Sequence, residues 1–250
     1  MTKTIRNIWV TLASFFKWAS SEFSIPNPVE HIPAPRFQRF PVEAFTKEEI
    51  KLLLKACTQT KEANTRIRDS YTYVRPTAKR DQAIILTLLD TGLRAMEFCS
   101  LRVGNVDLKT GKVAVEQGVR GGAKGGKGRT VFLGKTARQA VWRYLAGRED
   151  SGEDANAPLF LAKGQYPMTP NGLRHLIIHL AEKAGVKNAY PHKFRHTFSI
   201  TYLRSGGDVF TLQALLGHTT LDMVRHYAQI AEIDVQNAHR KASPADNWRL

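Results

Sequence analysis

Between Pro26 and Pro41 the chain places five prolines, Pro26, Pro28, Pro33, Pro35 and Pro41, among mostly polar residues. Each lacks a backbone N–H, fixes φ and disfavours the helical region for the residue before it. No helix or central strand runs easily through such a stretch, so it reads as an extended linker. The chain is thereby divided into residues 1–25, a proline-rich linker over 26–41, and one domain over 42–250.

The segment before the linker contains a decoy. Lys3 and Arg6 precede an apolar run from Ile8 to Phe16, with Ala19, Ser20 and Ser21 behind it, in the order of a secretory signal. Lys17 and Trp18 break that order, and the run is about half of what a bilayer crossing needs. Ile8, Leu12, Phe15 and Phe16 share a helical face, which predicts a packed amphipathic helix and no membrane partner.

After the linker the periodicity is mostly helical. Thr46 and Glu49 form a capping box opening a helix through Ala56, and a polar connection follows over 62–76. Thr77 starts an apolar helix that Gly92 stops, and a short helix begins near Arg94. From Lys112 to Leu133 the pattern changes: Val113 and Val115 alternate with polar neighbours, glycines mark a turn over 118–128, and Thr130 to Leu133 resume a strand. Helices return at Thr136, at Thr169–Pro170, at Pro191, after Asp208, and over Glu232–Ala242. The expected fold class is mainly α with a small antiparallel β-sheet (α+β).

Lys and Arg number 37 against 22 Asp and Glu, a net charge of +15 that suits a polyanion without choosing among DNA, RNA and anionic membranes. With 42% hydrophobic residues, whole-chain disorder is excluded. Two cysteines, Cys57 and Cys99, make neither a disulfide framework nor a thiolate zinc site, which points to a reducing cytoplasm.

Three motifs fail on inspection. Gly121 to Lys127 imitates a phosphate-binding P-loop, but Gly128 stands where a hydroxyl should hold magnesium, and the run leads into a strand where a helix is required. His175 and His179 lie four apart without an acidic residue between them or a third ligand, so no metal site is expected. Ser199 and Ser205 lack a nucleophile-elbow pattern.

Four remaining clusters share the chemistry of phosphodiester binding. Asp90 to Glu97 turns on Gly92 and restarts a helix with Arg94 near its beginning; an arginine there opposes the helix dipole unless Glu97 or a bound anion compensates. Lys124 sits on the glycine-rich hairpin with Lys127 and Arg129 beside it, as a solvated basic loop or as a lysine able to reach into a groove. In Tyr190 to His196, Pro191 opens a helix that sets His192 and Arg195 three apart on one face. Leu215 to His218 ends a helix, and Tyr227 follows nine residues later.

Taken in this order, the clusters resemble the tyrosine recombinases, the phage-integrase family of site-specific DNA recombinases. The likeness runs from about Val42 to Leu250 and rests on TGLRAMEFCSLR at Thr91–Arg102, AKGGKGRTVFLG at Ala123–Gly134, PHKFRHTF at Pro191–Phe198 and LLGHTTLDMVRHY at Leu215–Tyr227. The resemblance implies a recombinase catalytic domain without a cofactor, whose catalytic set is Arg94, Lys124, His192, Arg195, His218 and the nucleophile Tyr227, with Glu97 supporting Arg94 and His196 structural. It further implies phosphate contacts from Arg120, Lys127, Arg129 and Lys193, among other scattered cations.

In that scheme Tyr227 attacks phosphorus to form a 3′-phosphotyrosyl link, which conserves the bond energy for rejoining. Arg94 and Arg195 neutralise the non-bridging oxygens, Lys124 protonates the leaving 5′ oxygen, His192 handles the tyrosine proton and His218 hydrogen-bonds the phosphate. The implied partner is a double-stranded recombination site in the nucleoid, bound by a homo-tetramer on paired sites that is monomeric when free. Residues 1–25 then correspond to the last helix of an N-terminal core-binding domain. Two alternatives stay open on sequence alone: a type IB topoisomerase-like activity, and a DNA-binding fragment or regulator that does not recombine.

Overall fold

Helix α1 (Lys3–Phe23) and the turns after it make one unit, residues 1–42, and residues 43–250 make a second. The computed structural model describes residues 3–36, 43–58, 75–116, 128–148, 154–162 and 164–218, together with Ser243 and Ala245. The expected turn over 118–128, apart from Gly128, and the expected terminal helix Glu232–Ala242 lie outside the described residues, as do Arg120, Lys124, Lys127 and Tyr227.

In the first unit the Trp9 indole N–H donates to the Ile32 carbonyl at 3.1 Å, and the Ser20 hydroxyl donates to the Ile25 carbonyl at 2.6 Å. These bonds fold the proline segment back along the helix. Packing does not follow: Ala19 is buried, while Ile8, Leu12 and Phe15 remain exposed. Along this face the rings contact one another, Phe15 meeting both Phe16 and Trp18. No helix among the described residues is long and apolar enough to cross a membrane.

The second unit is built around α3 (Ala78–Thr91), which packs against α2 (Lys47–Thr58), α5 (Lys135–Leu145) and α7 (Pro191–Arg204). Its Ile84, Ile85 and Leu88 are fully buried, as an apolar helix surrounded by helices requires. The α2 start has the reciprocal bonds of a capping box, with Thr46 N–H donating to Glu49 at 2.8 Å and Glu49 N–H donating to the Thr46 hydroxyl at 3.1 Å. α6 (Pro170–Ala184) also packs on α2; the Thr169 hydroxyl caps it and Pro170 occupies its first turn. His175 and His179 are exposed on it.

Strands β1 (Lys112–Val115) and β2 (Arg129–Phe132) pair antiparallel, with Val113 opposite Val131 and Val115 opposite Arg129. The inward face of this ribbon carries Val113, Val115 and Val131, all buried, and closes on the helical core. Phe160 stacks between Phe98 and Tyr144, with ring centroids 4.8 and 5.6 Å away. A second, smaller core joins α7 to α8 (Val209–Leu216) through Ile200, Leu203, Leu212 and Leu216. Its neighbourhood holds the candidate site.

Candidate active site

Two helix ends and one helix start meet here. α3 stops at Gly92 in the left-handed region (φ 59°), and a side chain there would strike the Phe198 ring at 2.5 Å. Glycine is therefore required twice, for its dihedral and for its missing Cβ. Two residues on, Arg94 forms the N-cap of α4 (Ala95–Ser100), one position outside the helix in extended conformation. Glu97 completes the turn, accepting from the Arg94 N–H at 2.8 Å and from Arg94 Nη1 at 2.9 Å. The arginine at this helix start is thus compensated by Glu97 within the chain, one of the two ways its sequence position allowed.

Glu97 is buried, with 1% of its surface exposed, and it has a second cation. Arg129, reaching in from β2, donates Nη1 to Oε1 at 3.0 Å and Nη2 to Oε2 at 2.8 Å. Burial by itself would raise the carboxyl pKa, but the hydrogen bonds from Arg129 and from the backbone and side chain of Arg94 outweigh it and hold Glu97 at about 2.

α7 contributes the next pair. Pro191 occupies its first turn, His192 lies open to solvent and Arg195 is fully buried. Arg195 Nη1 donates to the Gly92 carbonyl at 2.9 Å, Nη2 donates to the Leu216 carbonyl at 2.8 Å, and Nη2 also meets His218 Nε2 at 2.8 Å. A guanidinium only donates, so Nε2 is the acceptor and the His218 ring is neutral. Arg195 therefore ties the end of α3 to the end of α8. Beyond α8, Gly217 is left-handed (φ 64°), and His218 N–H closes the turn on the Gln213 carbonyl at 3.1 Å.

Electrostatics bind these groups into one field. His218, 7% exposed, is pushed down to about 4 by burial first and then by the charges of Arg195, Arg94 and Arg129. His192 is lowered as well, by the protein packed behind its ring and then by Arg195 and Arg94. The His192 ring also meets His196 edge-on at 4.4 Å. Arg94, Glu97, His192, Arg195 and His218, from three separated stretches of sequence, are brought together. Among the described residues no group of three His, Cys, Asp or Glu side chains is arranged to hold a metal ion.

Two expected phosphate contacts are not at the surface. Lys193 is 4% exposed, with its ammonium over the Phe45 ring at 4.3 Å from the centroid, a cation–π contact inside the fold. Its helical position explains this: Lys193, Thr197 and Ile200 fall on the inward face of α7, and Thr197 accepts from the Phe45 N–H at 2.8 Å. The Arg129 side chain is 8% exposed and committed to Glu97 and to the Leu215 carbonyl. The period of two along β2 was the available signal, because it puts Arg129 on the same face as buried Val131. Lys135, Arg143 and Arg174 do remain exposed.

A helical domain in which two arginines and two histidines surround a point at joined helix ends has the makings of a phosphate-handling centre. The phage integrase family pattern matches residues 43–233, and the chain belongs to that family, the tyrosine recombinases. Among its relatives, the tyrosine recombinase XerC of Bacillus pumilus is 30% identical over 249 residues, covering 97% of this chain and 75% of the relative. Tyrosine recombinase XerA of Thermococcus kodakarensis is 32% identical over 218 residues, covering 87% and 69%. In three dimensions the chain is similar to the XerA recombinase crystal structure, with a TM-score of 0.61, 23% identity and coverage of 97% and 77%. It is also similar to the Tn1549 transposon integrase in complex with a circular intermediate DNA, with a TM-score of 0.69, 22% identity and coverage of 90% and 74%. At those identities the structural likeness carries the fold.

Proposed function

We propose that this tyrosine recombinase cleaves and rejoins double-stranded DNA at a specific site, using Arg94, Lys124, His192, Arg195, His218 and Tyr227. The observation that carries the reading is the convergence of Arg94, Arg195, His192 and His218 on the joined ends of α3 and α8. Attack on a phosphodiester gathers negative charge on two non-bridging oxygens, and preformed guanidinium charges stabilise it without reorganising during the reaction.

Tyr227 is the nucleophile of this scheme and forms the 3′-phosphotyrosyl bond. The tyrosine proton passes to His192, whose lowered pKa keeps the ring neutral and able to accept it near pH 7. Lys124 returns a proton to the departing 5′ oxygen. His218 serves the phosphate beside Arg195, and their mutual bond keeps the two in one place. Exposed cations such as Lys135, Arg143 and Arg174, with Arg120 and Lys127, contact the flanking duplex. The active assembly is a homo-tetramer on paired sites in the nucleoid, formed from free monomers.

Covalent capture tests the reading. Sequencing DNA trapped on the protein defines the cleaved site, and a nicked duplex carrying that site lets the adduct accumulate. The expected outcome is an adduct with the wild-type chain and none with Tyr227→Phe, which still binds the duplex. An adduct formed by the phenylalanine variant would remove Tyr227 from the nucleophile's role.

A further inference from the structure

The Arg129 guanidinium lies where three pieces of the domain meet. Its planar fork takes both oxygens of Glu97, 32 residues back in the chain, and its Nε donates to the Leu215 carbonyl, 86 residues ahead, at 2.8 Å. The next carbonyl, that of Leu216, is taken by Arg195. Two arginines thus hold successive carbonyls at the end of α8, immediately before the His218 turn. A side chain at Gly217 would come within 3.1 Å of both Cδ and Nη1 of Arg129, so that turn is shaped around the guanidinium as well.

We propose that Arg129 is a positioning residue for strand cleavage: it fixes the Glu97 carboxylate in the orientation that holds Arg94, and it fixes the turn that carries His218. The proposal rests on the recombinase reading above. A carboxylate bound at both oxygens by one planar fork cannot rotate, and the edge left over faces the Arg94 N–H and Nη1. Arg94 is consequently held in place by a group that is itself held. Lysine cannot take over, because a single ammonium cannot span both carboxylate oxygens and the Leu215 carbonyl in one plane. Arg129 also follows Lys124 by five residues, so the strand anchored by this contact is the one leading out of the hairpin turn.

The test uses the full chain as wild type, Arg129→Lys, Arg129→Met, Glu97→Gln and the Arg129→Met/Glu97→Gln double variant. Adduct formation on the nicked duplex is followed in single turnover from pH 5 to 8, beside duplex binding and thermal melting in the same buffers. Both Arg129 variants should lose about 100-fold in cleavage rate, the scale of a misplacement near 1 Å, with affinity for the duplex held within a few fold. Arg129→Met should gain a fall in rate toward acid pH, because Glu97 without the fork is protonated at higher pH. The double variant should lose that pH dependence and be little slower than Arg129→Met, since the two residues act as one unit.

Arg129→Lys cleaving at the wild-type rate with the wild-type pH profile would overturn the proposal. So would a loss of cleavage no larger than the loss of duplex binding, which would return Arg129 to the phosphate contacts. If Arg129→Met does not fold, Arg129→Lys and Glu97→Gln still decide the question. Failure of the wild-type chain to form any adduct is a different result: it overturns the recombinase reading, and the positioning role with it.

Discussion

Arg195 and His218 show how a single residue pair is set by its surroundings. His218 must stay neutral to accept from Arg195, and its folded pKa of about 4 lies below the 6.5 of a free imidazole. Between those values the unfolded chain binds the proton more readily than the folded one, so stability is full above pH 6.5 and is lost as the pH falls toward 4. The urea midpoint of the wild type should therefore drop across that window. In His218→Gln, whose amide oxygen can still accept from Arg195, the drop should be smaller. Equal drops in the two proteins would remove His218 as the source. The meeting of Arg94, His192, Arg195 and His218 was legible only through the family resemblance of the ordered clusters, because each cluster taken alone also fits an ordinary turn or helical face. The inward commitment of Lys193 and Arg129 was not, because a cation reads as surface until its position in the period is weighed against the burial of its neighbours. Lys193 finds an aromatic ring and Arg129 a carboxylate, and neither partner is near in sequence.

At the scale of elements, punctuation was the most readable feature. Thr46 with Glu49, Thr169 with Pro170, Asp208, Gly92 and Gly217 all sit at the helix ends that their chemistry specifies. Thr77 departs in one respect: its hydroxyl bonds to the buried carboxylate of Asp81 at 2.9 Å and makes no cap to backbone. Asp81 is also shared with its sequence neighbour Arg80 and with Arg75, six residues before it, so its charge is satisfied within one stretch of chain. The expected packing of α1 was less legible, since an amphipathic face specifies that something covers it without naming what does. Gly92 permits a test of element geometry. Gly92→Ala adds left-handed strain and a collision with Phe198, which together should cost about 2 kcal/mol or more and lower the melting temperature by roughly 4–8 °C. The Gly92 carbonyl that Arg195 uses moves with that turn, so cleavage should fall further than melting behaviour alone accounts for. A variant with wild-type melting and cleavage would show that the turn tolerates a side chain.

For the whole molecule the excess of +15 now divides into parts. Lys193 and Arg129 are spent inside the fold, Arg94 and Arg195 sit at the joined helix ends, and Lys135, Arg143 and Arg174 are left exposed on the surface. If six to ten phosphates are neutralised, duplex affinity should fall about 10³-fold or more between 50 and 200 mM salt. Binding titrations across that range would check it, and a flat response would contradict a phosphate-led interface. Arg195, Arg94 and Arg129 all press on His218, whereas Glu97 is the carboxylate bonded to two of them. Like charges gathered this closely repel one another, and an anion bound among them would offset that repulsion. An anion that binds there should therefore raise the resistance to unfolding in proportion to its occupancy, so the site's ligand would act as a clamp on the fold.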